Sequence, residues 1–132
     1  MAEALHCSVV TPERAILESE AQFVAFPAHD GEIGVMPQRA PLLCRLGTGI
    51  LRVKTTEGTH RFFIDGGFAQ MVDNKLTLLT EQARAEDELE RATVLEELQE
   101  ARAMSVEGGG HDQRQAAIRR AQEQLKLTPE RR

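Results

Sequence analysis

With 132 residues and a mass of 14.7 kDa, the chain suffices for one compact domain or a small domain with an appendage, and a sizeable core needs most of it. A formal charge of −5, a pI near 5.4 and the lack of any Lys/Arg run interleaved with aromatics argue against nucleic acid as a partner. No apolar run approaches the ~20 residues that span a bilayer, and the first residues lack a basic region followed by an apolar one, so the expectation is a soluble protein with no direct bilayer insertion.

Leu5, Cys7 and Val9 alternate with His6 and Ser8, the period-2 signature of a half-buried strand. Further strand patterns lie at residues 14–18, 22–26, 32–36, 50–55, 60–64, 68–72 and 75–79. Glu57-Gly58, Asp65-Gly66-Gly67 and Asp73-Asn74 are short turn signals between them. Many short strands at this spacing predict a small all-β sandwich or a flattened barrel. Cys7 and Cys44 form no disulfide framework and lie in no metal-binding spacing, so both are expected to be reduced, small apolar side chains.

Residues 29–43, HDGEIGVMPQRAPLL, concentrate turn formers and charge. His29-Asp30 invites a general-base reading, but neighbours on an extended chain point to opposite sides and no Ser or Cys nucleophile sits in a recognisable elbow. Gly31 and Gly34 do not match a phosphate loop, which feeds a helix N-terminus and normally carries Lys-Ser or Lys-Thr; they read as structural turns. His6, His60 and His111 fall in separate segments without ligand spacing. No catalytic residue, metal site or cofactor is expected. Pro37 and Pro41 stiffen the exit, and Glu32 and Arg39 remain as charged tips, which is what a partner-binding surface needs.

Near Thr80 the composition turns to Ala, Glu, Arg and Gln. Asp87 with Glu90 predicts a cap for a helix carrying Leu89, Ala92, Leu95, Leu98, Ala101 and Met104, ended by Gly108-Gly109-Gly110. Glu86, Asp87 and Glu88 read as negative charge complementing the helix dipole. Asp112 with Gln115 starts a second helix with Ala117, Ile118, Ala121 and Leu125 on one face, ending near Thr128-Pro129. The tail is thus expected to be a helical hairpin, Glu88, Glu90, Glu96, Glu97 and Glu100 facing Arg114, Arg119, Arg120 and Lys126 across it. The every-third-residue stripe of the first helix winds around it, so stability must come from docking, with more than one place to dock.

Val9-Val10-Thr11-Pro12-Glu13, Gly31-Glu32-Ile33-Gly34-Val35-Met36-Pro37, Ala40-Pro41-Leu42-Leu43, Gly49-Ile50-Leu51-Arg52 and Gly66-Gly67-Phe68, in this order before such a hairpin, resemble the epsilon subunit of the F-type ATP synthase, the homologue of the mitochondrial delta subunit. The resemblance spans nearly the whole chain. It implies an α+β protein: an N-terminal β-sandwich of about ten short strands over residues 1–84, then an antiparallel two-helix hairpin over 85–132. It implies a non-catalytic rotor subunit of the central stalk, not an enzyme. The sandwich would bind the gamma subunit on one face and the membrane rotor ring of c subunits through its loops, coupling proton flow to ATP synthesis. His29, Asp30, Glu32, Arg39, Ala40 and Pro41 are the candidate contacts. The hairpin would reach the alpha and beta subunits of the catalytic head and inhibit hydrolysis. The location implied is peripheral, on the cytoplasmic face of the bacterial inner membrane.

Some members bind ATP at the hairpin through Ile or Leu, Asp, two variable residues, Arg and Ala. Here the stretch is Asp87-Glu88-Leu89-Glu90-Arg91-Ala92: Arg91 and Ala92 match, Glu88 replaces Asp, and Asp87 stands where an apolar side chain belongs. Arg120 fills one basic position, whereas Gln124 stands where another Arg is usual, so weak or no ATP binding is expected. Arg39 replaces a common His. Two competing readings are a nucleotide-sensing module acting through the hairpin and a small hydrolase using His29 and Asp30.

Overall fold

The computed structural model describes residues 3–106 and 110–128. Ten strands come first: β1 (Leu5–Val10), β2 (Ala15–Ala21), β3 (Phe23–Ala28), β4 (Gly31–Val35), β5 (Leu42–Arg45), β6 (Thr48–Thr55), β7 (Gly58–Asp65), β8 (Phe68–Val72), β9 (Lys75–Leu79) and β10 (Gln82–Ala85). A single 3-10 turn, Glu86–Glu88, then leads to α1 (Arg91–Arg102) and α2 (His111–Lys126).

The strands form two five-stranded sheets, β2-β1-β9-β8-β5 and β10-β7-β6-β3-β4, so the architecture is a sandwich and not a closed barrel. Alternation sets the layers. Leu5, Cys7 and Val9 of β1, Leu76 and Leu78 of β9 and Ala69 and Met71 of β8 meet Val24, Phe26, Leu51, Val53, Phe62 and Ile64 of the second sheet in one core. The β1–β9 pair is parallel and every other pair in the two sheets is antiparallel.

Turn chemistry fixes the register. Asp73 and Asn74 both have positive φ, as a two-residue type I′ hairpin demands, and the Asn74 side chain also donates to the Ala4 carbonyl at 2.8 Å and accepts from the Gln38 amide at 2.8 Å. A Cβ on Gly67 would stand 1.8 Å from the Leu79 carbonyl oxygen, so only glycine lets β7 turn into β8 against β9.

Several expectations need correction. Gly34 is not a turn residue: it lies within β4, where a Cβ would meet the Phe23 ring at 2.8 Å. Strands β5 and β10 were not anticipated, because four residues are too few for period-2 alternation to register. β10 ends at Ala85, one residue past the expected boundary of the sandwich. Asp87 does not cap α1; it belongs to the 3-10 turn, the residue before α1 is Glu90, and the first turn of α1 carries no acid. The buried face of α1 is Val94, Leu98 and Ala101, at i, i+4 and i+7, while Leu95 and Met104 remain partly exposed. Of the three glycines expected to end α1, Gly108 and Gly109 lie outside the described residues, as does Pro129.

The helices do pair antiparallel. Arg91, at the start of α1, donates to the Thr128 carbonyl just past α2 at 2.6 Å, and Arg114, near the start of α2, donates to the Arg102 carbonyl that ends α1 at 3.2 Å. α2 lies on β6 and β7, on the outer face of the second sheet. Phe62 and Ile64 point into the core, so Phe63 between them faces outward, and it is nevertheless fully buried under the hairpin. The expected charge zipper is absent: among the described residues no ion pair joins α1 to α2, and the bridges run from Glu97 to Arg84, from Arg120 to Asp65, and within α2 from Lys126 to Glu123.

Candidate functional site

The stretch from His29 to Pro41 does not form one cluster. His29 and Asp30 are the two-residue turn between β3 and β4, exposed, with Gly31 beside them at φ +143°. The His29 amide donates to the Arg45 carbonyl at 3.0 Å, which ties this turn to the end of β5. Arg39, Ala40 and Pro41 connect β4 to β5 and are exposed. Because Ala28 pairs with Gly31 and Val24 with Val35, this connection leaves from the far end of the β3–β4 hairpin. Arg39 donates to its neighbour's carbonyl, Ala40 O, at 3.2 Å.

Glu32 is not a free charged tip. It lies within β4, and its carboxylate accepts a hydrogen bond of 2.6 Å from Arg52 of β6, across the intervening β3. This pair leaves Glu32 half-exposed and directionally held. An open groove of about 350 Å³ runs beside the turn, lined by His29, Asp30, Glu32, Cys44 and Arg45. Burial and then the Asp30 carboxylate push the Cys44 thiol up, while Arg39 pulls it down. A thiol held this way is a weaker nucleophile than a free one, so Cys44 does not supply the nucleophile that His29-Asp30 lack.

The residues matching the nucleotide motif are not brought together either. Glu88 lies in the 3-10 turn, 3.8 Å from Arg14. The Arg91 guanidinium is committed to the Thr128 carbonyl, Ala92 is exposed, and Arg120 lies 3.8 Å from Asp65, whose other oxygen accepts from the Thr48 hydroxyl at 2.6 Å. The groove of about 700 Å³ at the base of α1 is lined by Arg91 with Glu86, Asp87 and Glu90, and includes neither Glu88 nor Arg120. Three carboxylates against one engaged guanidinium repel a polyphosphate.

Sequence reasoning missed a third surface. The hairpin covers the second sheet and leaves the outer face of the first bare, with Leu43 71% exposed, Phe68 52% and Leu79 53%, alongside Val72. Phe68 and Leu79 are direct cross-strand partners. Val10 and Pro12 extend the patch into a shallow groove of about 410 Å³. The signal was present: Phe68 and Val72 in FAQMV and Leu79 in KLTLL are apolar at positions where a strand with one wet face would carry polar residues.

The family model for the beta-sandwich domain of the ATP synthase delta/epsilon chain matches residues 4–86. An ATP synthase epsilon chain of Rhodopirellula baltica is 45% identical over 126 residues, covering 95% of this chain and 98% of that one. One from Nitratidesulfovibrio vulgaris strain DP4 is 38% identical over 130 residues, covering 96% and 97%. Among solved structures, a chain of the Euglena gracilis mitochondrial ATP synthase, OSCP/F1/c-ring in rotational state 1, superposes with a TM-score of 0.85 at 22% identity, covering 96% of this chain and 82% of that chain.

Proposed function

This chain belongs to the ATP synthase delta/epsilon family, and from that premise we propose that it is the non-catalytic central-stalk subunit of a proton-translocating ATP synthase, coupling ion flow through the rotor ring to synthesis in the catalytic head. The bare apolar face of the first sheet carries the reading, because burying Leu43, Phe68, Val72 and Leu79 supplies the driving force for a permanent partner. That partner is the gamma subunit. The β3–β4 turn, with His29, Asp30 and the braced Glu32, and the connection at Arg39, Ala40 and Pro41 supply polar contacts for the ring of c subunits. In a bacterium the protein then sits peripherally on the cytoplasmic face of the inner membrane. The hairpin, docked on the opposite sheet, is the regulatory element, reaching the alpha and beta subunits to inhibit hydrolysis when it swings out.

Co-purification with gamma and the ring tests the division of labour. The structure sets the cut: ending at Ala83 would halve β10, so the shortened chain ends at Glu86. The expected outcome is that full and shortened chains bind both partners, that Phe68→Glu with Leu79→Glu abolishes gamma capture, and that the shortened chain raises ATP hydrolysis of the assembled enzyme. Failure of the shortened chain to bind either partner defeats the sandwich assignment, and unchanged hydrolysis with binding intact defeats the inhibitory one.

A further inference from the structure

Arg84 stands at the middle of β10, and its guanidinium is forked between the sandwich and the hairpin. Its Nη1 donates to Glu97 Oε1 of α1 at 3.5 Å and to Gln124 Oε1 of α2 at 3.3 Å. On the other side, with the Gln82 carboxamide oxygen turned inward, Nε and Nη2 donate to it at 2.9 and 3.1 Å. No other sandwich side chain among the described residues is bonded to both helices.

Gln124 makes this more than a surface contact. It is 3% exposed, a polar side chain buried between helix and sheet, and burial of an amide without a partner is strongly unfavourable. Its Oε1 meets a donor only when α2 sits in this register on β6 and β7. An apolar residue there would tolerate slippage. A glutamine facing a fixed guanidinium does not.

We propose that Arg84 is a clasp, a positioning residue that selects the docked register of the hairpin through Gln124 and draws in α1 through Glu97. Arg91 to Thr128 and Arg114 to Arg102 join the two helices at both ends, so a loss of docking at one helix is felt at the other. Losing the Arg84 guanidinium therefore strands the buried Gln124 amide and loosens both helices, with Arg120 to Asp65 as the remaining polar tie among the described residues. The clasp rests on the reading of the hairpin as a regulatory element only for its consequence in the assembled enzyme.

The test is amide hydrogen exchange on the full-length isolated chain, wild type against Arg84→Ala, Arg84→Lys and Gln124→Leu. Arg84→Ala is expected to speed exchange across α1 and α2 by about tenfold or more while amides in β1 and β9 keep their protection. Arg84→Lys keeps the charge beside Glu97 but loses the fork, so it should behave like Ala. Gln124→Leu should leave protection near wild type but make Arg84→Ala silent in the double variant. Unchanged exchange in Arg84→Ala, full retention by Arg84→Lys, or loosening spread equally through β1 and β9 would overturn the clasp. ATP hydrolysis of the assembled enzyme decides the other question: a loosened hairpin with unchanged hydrolysis upholds the clasp and removes the regulatory reading.

Discussion

At position 7 the thiol has none of its surface in water, and burial pushes its pKa from 9.0 up to about 12. Below pH 9 the group is protonated in folded and unfolded chains alike, so its contribution is intact. Above pH 9 the unfolded chain releases a proton that the folded chain holds, and stability falls by up to about 1.4 kcal/mol per pH unit until the folded value is reached. The urea midpoint of the wild type should thus drop between pH 9 and 10.5 more steeply than that of Cys7→Ala; parallel curves would refute this. Cys44, part-exposed but with its thiol pushed up, should react slowly with a thiol reagent in the folded protein, and Cys7 only after unfolding. No disulfide joins them, because β9 and β8 separate their strands by roughly 14 Å, well beyond bonding reach. The burial of Cys7 was readable from its place in an alternating run. The pairing of Glu32 was not, since Arg52 lies 20 residues away and only strand order brings it across β3.

Elements inherit the same division. The hairpin is held by apolar burial more than by charge: Val94, Leu98, Ala101, Ala121 and Leu127 are all buried, and Phe63 is the sheet's fully buried contribution. The ion pairs from Arg84 and Arg120 are partly exposed and contribute about 0–1 kcal/mol each. Phe63→Ala should accordingly weaken docking by about 3 kcal/mol, read as lost exchange protection in α1 and α2, whereas raising salt to 1 M should change that protection only slightly. The opposite pattern, salt-labile and Phe63-independent docking, would reverse the ranking. The sequence pattern located both helices but misjudged the buried stripe of α1, because Ala92, Leu95, Leu98 and Ala101 recur every third residue and only contact with α2 selected Val94 with Leu98 and Ala101.

For the whole molecule, the sandwich has one face covered by its own tail and one left bare, and this asymmetry separates its two tasks. It also bears on nucleotide binding. With Arg91 on Thr128, Arg120 on Asp65 and Glu88 near Arg14, no set of donors among the described residues converges on a phosphate. Calorimetric titration of the isolated chain should show no heat at micromolar ATP, with any affinity weaker than about 1 mM. A clear signal would restore the nucleotide-sensing alternative.

By itself the sequence determined most of the strands, the turns between them, the two helices and, through ordered short motifs, the family, because each of these rests on periodicity or backbone restriction within a few residues. Which sheet the hairpin covers, which apolar face stays bare, and which arginine meets which acid were decided only in the tertiary structure. Those outcomes join residues far apart in the chain, as Arg84 and Gln124 are, and no local pattern encodes a contact whose partners are fixed by strand order and layer packing. HDGEIGVMPQRAPLL illustrates the limit: it reads as one surface, yet His29 and Asp30 form the turn at one end of the β3–β4 hairpin while the segment carrying Arg39 leaves from the other.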